Sequence, residues 1–133
     1  MPLKEVKESY SRCCVNSKFF DRFYENFLSS HPAIAPLFAE TEMTKQKQLL
    51  RQGISMMFML LGGNSVGTTG IDRIGESHSK KNLNIDPNMY DFWINSLVKT
   101  VKEFDEKMTT PLEADWKKTL RIGVDRIVAF YNK

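Results

Sequence analysis

Ile71-Asp-Arg-Ile-Gly-Glu-Ser-His78 is the stretch that says most about how this chain folds. It ends in one of only two histidines among 133 residues. Ile71 and Ile74 precede His78 by two turns and one turn of helix, so the three side chains share one helical face. An imidazole that ends an apolar helical face can reach a metal ion while its neighbours exclude water. His78 is therefore the candidate metal ligand, and a purely structural histidine is the alternative.

Helical periodicity governs the rest of the sequence. Apolar residues recur three and four positions apart in each long segment, and no segment alternates with a period of two. The pattern predicts an all-α fold of about six to eight helices in a single domain, residues 1–133. The predicted long segments are Leu3–Cys14, a stripe from Phe20 to Leu28, a helix ending near Leu61, a helix carrying Tyr90 to Phe104, and a last helix from Thr110 to about Tyr131.

Proline, glycine and polar residues predict where these helices begin and end. Ser29-Ser-His-Pro32 ends the second helix, and Pro32–Phe38 leaves room only for a short turn. The glycine-rich stretch 62–70 is predicted to be a flexible linker, since it lacks the lysine and the preceding strand of a phosphate-binding loop. The predicted N-terminal caps are Asn16 or Ser17, Thr41 or Thr44, Asp86 followed by Pro87, and Thr110 in a capping box with Glu113.

Composition argues against several classes of protein. The net charge is only +3, and no run of five like charges occurs, so the sequence does not predict nucleic-acid binding. The longest nearly apolar run, 53–63, is too short to cross a membrane, and the start of the chain does not resemble a signal peptide. Cys13 and Cys14 are adjacent, and adjacent cysteines rarely bridge each other. We therefore expect a cytoplasmic protein with reduced thiols and no membrane contact.

Polar residues upstream of His78 complete a candidate gas-binding pocket. Tyr24 lies on the phenylalanine-rich stripe of the second helix, where the alternative is an ordinary core aromatic. Gln46 begins the stripe of the following long helix, although a small register shift would put Lys45, Lys47 or Gln48 in its place. Together with His78, these residues predict haem held by one imidazole, with polar donors on the opposite side.

In their order along the chain, the motifs resemble those of a bacterial single-domain globin, and of the globin domains of flavohaemoglobins and globin-coupled sensors. His78 falls 32 positions after Gln46, as the proximal histidine of that family does. The similarity covers about Leu3 to Tyr131. Its other elements are Phe23-Tyr24-Glu25, His31-Pro32, Pro36-Leu37-Phe38, Met43-Thr-Lys-Gln46 with Leu50 one turn on, Ile85-Asp-Pro87 leading to Tyr90, and Trp116.

The resemblance implies a globin fold around haem b, iron protoporphyrin IX. It implies His78 as the iron ligand, and Tyr24 with Gln46 as the residues that stabilise the bound gas. His31 is expected to be a surface or helix-terminal residue instead of a second ligand. The residues expected to contact the cofactor are Phe38, Leu50, Ile54, Ile74, Ile85 and Tyr90.

Two departures distinguish this chain from the flavohaemoglobin type. That type has a lysine before the proximal histidine, where this chain has Ser77. It also has a glutamate late in the last helix that polarises the proximal imidazole, whereas Tyr131 lies near that place and Asp125 is the last acid of the chain. The sequence therefore does not favour a strong peroxidase-type activation of the proximal ligand.

The sequence leaves several functions open. The leading one is reversible binding of dioxygen, together with nitric oxide and carbon monoxide, by a monomer or weak homo-oligomer. The second is a nitric oxide dioxygenase or weak peroxidase that depends on an external reductase, because the chain carries no flavin or nicotinamide motif. The third is a gas-sensor module, and the absence of a linker or coiled coil after Tyr131 argues against its fusion to an output domain. A haem-free regulatory globin is the fourth, and the complete set of His78, Tyr24 and Gln46 argues against it.

Overall fold

Six α-helices and one 3₁₀ helix make up residues 3–133, the part of the chain that the computed structural model describes. Residues 1 and 2 of the predicted domain lie outside the described residues. The described range contains no strand, and the all-α prediction is confirmed. The helices are α1 (Leu3–Cys14), α2 (Phe19–Ser29), the 3₁₀ helix (Ala35–Phe38), α3 (Met43–Leu61), α4 (Ser65–His78), α5 (Met89–Phe104) and α6 (Thr110–Val128).

The core forms where the apolar stripes of these helices meet. Helix α2 packs on α5, and α4 packs on both α3 and α6. Trp116 of α6 is fully buried and lies edge-on to Phe58 of α3 and Tyr10 of α1. Large aromatic side chains gain most from burial, so this contact stabilises the packing of α1, α3 and α6 against one another.

The prediction of a flexible linker over residues 62–70 is wrong. Helix α4 already begins at Ser65, and the Asn64 side chain caps it by accepting a hydrogen bond from the Val66 amide at 2.8 Å. Gly67 and Gly70 are buried within this helix because α3 approaches it closely. A Cβ atom on Gly67 would lie 2.5 Å from the backbone nitrogen of Leu60. The glycines therefore provide close helix packing and not chain flexibility.

Replacing Gly67 by alanine is expected to lower the free energy of unfolding by about 1–3 kcal/mol, the usual range for overpacking a tight contact. The clash is with backbone atoms of α3, which cannot turn aside. Gly53→Ala is the matched control, because its nearest neighbour would be the Ile74 Cδ1 at 3.7 Å. Urea unfolding should show the control unchanged or slightly more stable. Equal losses in both variants would contradict the close-packing role.

Several predicted caps are displaced by one or more residues. Glu42, and neither Thr41 nor Thr44, caps α3, and its carboxylate accepts hydrogen bonds from the Thr44 and Lys45 amides. A longer acidic side chain can reach the same two amides and also favours the positive end of the helix dipole. The N-cap position is Lys18 where Asn16 or Ser17 is predicted, and Asn88 where Asp86 is predicted, but neither side chain makes a capping hydrogen bond. Thr109, instead of Thr110, caps α6 by accepting a hydrogen bond from the Leu112 amide.

Asp105 joins α1, α5 and α6 through a buried polar network. Its side chain is fully buried and accepts hydrogen bonds from Arg12 Nε at 2.6 Å and from Ser9 Oγ at 2.5 Å. Ser9 in turn accepts from Trp116 Nε1 at 3.0 Å. Burial alone would raise the pKa of Asp105, but the hydrogen bonds from Arg12 and Ser9 outweigh it and hold the pKa at about 2.

Asp105 should therefore make stability depend on pH in acid. Because folding lowers its pKa, the carboxylate stabilises the fold fully above pH ~4 and loses this effect as the pH falls towards 2. Asp105→Asn is expected to cost about 1.5–3 kcal/mol at pH 7, as for other hydrogen bonds to charged groups. Urea unfolding between pH 7 and pH 2 should show this difference shrinking. Glu106→Gln, which changes the exposed neighbour of Asp105, is the control and should show no such trend. If Asp105→Asn lowers the free energy of unfolding by the same amount at every pH, the buried carboxylate does not cause the pH dependence.

Both cysteines are free thiols in the described structure, as the sequence predicts. Burial raises the pKa of the Cys13 thiol to about 12, so the thiol stays protonated and inert. Within residues 3–133, no helix is long and apolar enough to cross a membrane.

Candidate functional site

His78 is the last residue of α4, and a tyrosine of α5 holds its ring. The His78 Nδ1 lies 3.0 Å from the Tyr90 hydroxyl oxygen, and the two rings are nearly parallel with centroids 6.3 Å apart. Tyr90 is buried in the first turn of α5. The hydrogen bond engages Nδ1, so Nε2 is the nitrogen that can face a metal ion. This is the arrangement that orients a ligating imidazole in metal sites generally.

The chemistry of His78 fits an iron ligand. Burial lowers the pKa of its imidazole below the ordinary value, because the charged form loses its hydration. A neutral imidazole has a lone pair available for iron, whereas a protonated one has none. The donor set at α4 and α5 therefore matches what haem requires from the protein on the proximal side.

Ile74 and Ile85, two of the residues that the sequence predicts to contact a flat apolar cofactor, lie before and after His78 in the chain. Ile74 is one turn before His78, and its Cδ1 reaches towards Gly53 of α3. Ile85 follows His78 in the loop between α4 and α5, and its amide donates to the His78 carbonyl oxygen at 3.0 Å. Both side chains are partly buried against the core. Their places are established by the fold, while contact with a cofactor stays a prediction.

Tyr24 lies on α2 with its hydroxyl directed towards the first turns of α3. Only 4% of its surface is exposed, and its ring packs edge-on against Phe38 with centroids 5.9 Å apart. The hydroxyl is 3.5 Å from the backbone oxygen of Gln46, at the outer limit of a hydrogen bond. Burial raises the pKa of Tyr24 to about 12, so the phenol keeps its proton. Such a weakly held O–H can turn to a better acceptor.

Helix α3 supplies the remaining residues of the predicted distal side. Gln46 is half-buried in the second turn of α3, next to Lys47, which forms an ion pair with Asp21 of α2 at 2.5 Å. Leu50 and Ile54 follow on the same face and are buried. The structure thus brings Tyr24, Phe38 and Gln46 together between α2 and α3, and places His78 with Tyr90 between α4 and α5.

His31 has a local role at the end of α2. Its Nδ1 accepts a hydrogen bond from the Ala33 amide at 3.0 Å, and its ring packs against Phe92 of α5. This is the helix-terminal position that the sequence predicts. In the described part of the chain, no cluster of three histidine, cysteine or acidic side chains could hold a metal ion by itself.

Sequence reasoning did not predict how the loop after His78 is held. Tyr131 lies beyond the end of α6, and its hydroxyl donates to Asn84 Oδ1 at 2.6 Å instead of approaching His78. Asn84 has a φ of 53°, a left-handed conformation that asparagine tolerates better than most residues. An asparagine shortly before Asp86-Pro87 is the sequence signal that could have indicated this turn.

Comparison with known proteins identifies one close structural relative. A crystal structure from Pseudomonas aeruginosa, of a protein described as structurally highly homologous to a human hemoglobin, superimposes on this chain with a TM-score of 0.94. The two sequences are 37% identical, and the alignment covers 98% of each chain. No protein-family model and no curated protein matches the chain.

Proposed function

The chain belongs to the globin family, and on this premise we propose that it binds haem b and, through it, dioxygen reversibly, with nitric oxide and carbon monoxide as further ligands. When bound, haem supplies an iron atom with one axial position for the protein and one for a gas. The observation that carries the proposal is the His78–Tyr90 pair at the end of α4.

The proximal part of the proposal assigns His78 Nε2 to iron. The Tyr90 hydroxyl oxygen is 3.0 Å from Nδ1 and would accept a hydrogen bond from the Nδ1–H group, which keeps the ring in one tautomer and one orientation. Tyr90 is a neutral partner, because burial raises its pKa well above the ordinary value. A phenol polarises the imidazole less than a carboxylate does, which supports ligand binding over peroxidase-type chemistry.

The distal part of the proposal assigns the gas-stabilising hydrogen bond to Tyr24, with Gln46 as a second donor. Dioxygen gains negative charge when it binds ferrous iron, and an O–H donor in a pocket without water stabilises that charge strongly. The Tyr24 phenol is protonated, buried and only weakly engaged with the Gln46 backbone. Phe38, Leu50 and Ile54 would provide the apolar lining that excludes water.

Reversible oxygen binding is the experiment that tests this function. The reduced, haem-loaded protein is exposed to oxygen, and its absorption spectrum is recorded before and after oxygen is removed. A stable oxygenated spectrum that reverts on deoxygenation supports an oxygen-binding globin. Rapid irreversible oxidation to the ferric form without an oxygenated spectrum would contradict it.

Nitric oxide dioxygenation with an external reductase is the alternative, because it would use the same distal donor. The burial of Tyr24 favours this activity, because a pocket that retains dioxygen also presents the dioxygen to nitric oxide. Multiple turnovers of nitric oxide consumption with a supplied flavin reductase would support the enzyme. A single turnover per haem under the same conditions would restrict the protein to gas binding.

A further inference from the structure

The loop between α4 and α5 folds back onto the last turn of α4. The amide of Leu83 donates to the Ser77 carbonyl and the amide of Ile85 to the His78 carbonyl, both at 3.0 Å. The amide of Asn84 donates to the Ser79 carbonyl at 2.9 Å. A helix leaves its last carbonyls without partners inside the helix, so this loop provides the C-terminal cap of the helix that carries His78.

The turn after α6 holds this loop at two points. The Tyr131 carbonyl accepts from the Lys80 amide at 2.9 Å, and the Tyr131 hydroxyl donates to Asn84 Oδ1 at 2.6 Å. The same turn packs on α4 through Phe130, whose ring leaves no space for a Cβ atom on Gly75. Gly75 lies one turn before His78, so the segment after α6 supports both the helix and its cap.

Asn84 depends on the contact with Tyr131 because of its backbone conformation. Among the described residues it is the only non-glycine residue with a positive φ, and that conformation costs energy unless contacts maintain it. The hydrogen bond from Tyr131 is such a contact. If this hydrogen bond is lost, nothing in the side chain of Asn84 maintains the unfavourable positive φ, and the residue is expected to leave the left-handed region. The neighbouring hydrogen bonds from the Leu83 and Ile85 amides to the end of α4 then weaken.

We propose that Tyr131 is a positioning residue for His78, because its bond to Asn84 fixes the loop that caps α4 and thereby the direction of the imidazole. The inference rests on the proposed haem function. Tyr90 sets the rotation of the ring from α5, and Tyr131 sets the backbone from which the ring projects. Tyr131 lies near the place where the flavohaemoglobin type has a glutamate, but it acts on the loop and not on the imidazole itself.

Four single variants of the full chain test the proposal. Tyr131→Phe removes the donor, and Asn84→Gly removes the acceptor while tolerating the positive φ. Asn84→Asp keeps an acceptor and is the conservative rescue. Tyr10→Phe is the matched control, because the buried Tyr10 hydroxyl has no hydrogen-bond partner among the described residues. The readouts are hydrogen exchange at the Leu83 and Ile85 amides, and the iron–histidine stretching band of the ferrous haem-loaded protein.

Tyr131→Phe and Asn84→Gly are expected to raise amide exchange at Leu83 and Ile85 about fivefold, the effect of losing one hydrogen bond. Both should also shift or broaden the iron–histidine band, whereas Asn84→Asp and Tyr10→Phe should leave both readouts unchanged. Faster exchange with an identical band in all variants would overturn the positioning role. If the unaltered protein shows no iron–histidine band when haem is supplied, the haem proposal is overturned, and this inference with it.

Discussion

Replacing His78 by glycine is expected to raise the rate of haem loss by about 100-fold or more, because the haem iron would lose the protein ligand that we propose. His78 is the one histidine that ends the apolar face of α4 and is held by Tyr90. The remaining apolar contacts can still shelter a porphyrin, but none of them bonds to iron. Transfer of haem to an excess of a scavenging acceptor protein measures the rate directly.

His31→Gly is the matched control for this experiment, since it removes the only other histidine. His31 bonds to the Ala33 amide and packs on Phe92, and neither of these contacts involves His78 or Tyr90. Its replacement should leave haem loss within about twofold of the unaltered protein, as is usual for surface substitutions. Equal rates of haem loss in both variants would show that His78 does not ligate the iron.

Replacing Tyr24 by phenylalanine is expected to speed oxygen dissociation by about five- to 150-fold, which corresponds to a hydrogen bond of roughly 1–3 kcal/mol. The phenyl ring fits the same space between Phe23 and Phe38, so the change removes the O–H and little else. Stopped-flow displacement of oxygen by carbon monoxide gives the dissociation rate. The control is Tyr10→Phe, which changes a tyrosine of α1 that packs against Phe19 and Trp116 and should not alter this rate.

Carbon monoxide itself distinguishes a hydrogen-bonding role for Tyr24 from a packing role. This gas gains less negative charge than dioxygen when it binds iron, so a distal O–H stabilises it less. Carbon monoxide dissociation should therefore change much less than oxygen dissociation in Tyr24→Phe. If both gases escape faster by the same factor, Tyr24 acts by packing and the predicted distal donor is wrong.

Helical periodicity was sufficient to predict the architecture, because burial of one face repeats along each helix. Leu3–Cys14 and the end of α3 at Leu61 agree with the structure to the residue. The stretch 62–70 was interpreted wrongly because glycine serves both turns and close helix packing, and only the position of α3 decides between them. Caps were displaced for a similar reason: several polar residues in a row can each accept the first amides of a helix.

The candidate site was only partly accessible to sequence reasoning. Tyr24, Gln46 and His78 could be chosen from their helical registers; the fold brings Tyr24 to Gln46 and His78 to Tyr90, and their roles in gas binding stay predictions. The bonds of Asp105 to Ser9 and Arg12 and of Tyr131 to Asn84 could not be predicted, since they join residues that are remote in the sequence. Periodicity describes which face is buried, but it does not say which polar groups meet there.

The absorption spectrum of the ferrous protein, with and without carbon monoxide and beside His78→Gly, is the measurement that decides whether the chain is a histidine-ligated globin. We expect the unaltered protein to show a haem band that shifts when carbon monoxide is added. In His78→Gly this band should be altered, and free imidazole that fills the space left by the side chain should restore it. A chain that takes up no haem when it is supplied, or a variant whose spectra match the unaltered protein without imidazole, would contradict a histidine-ligated globin.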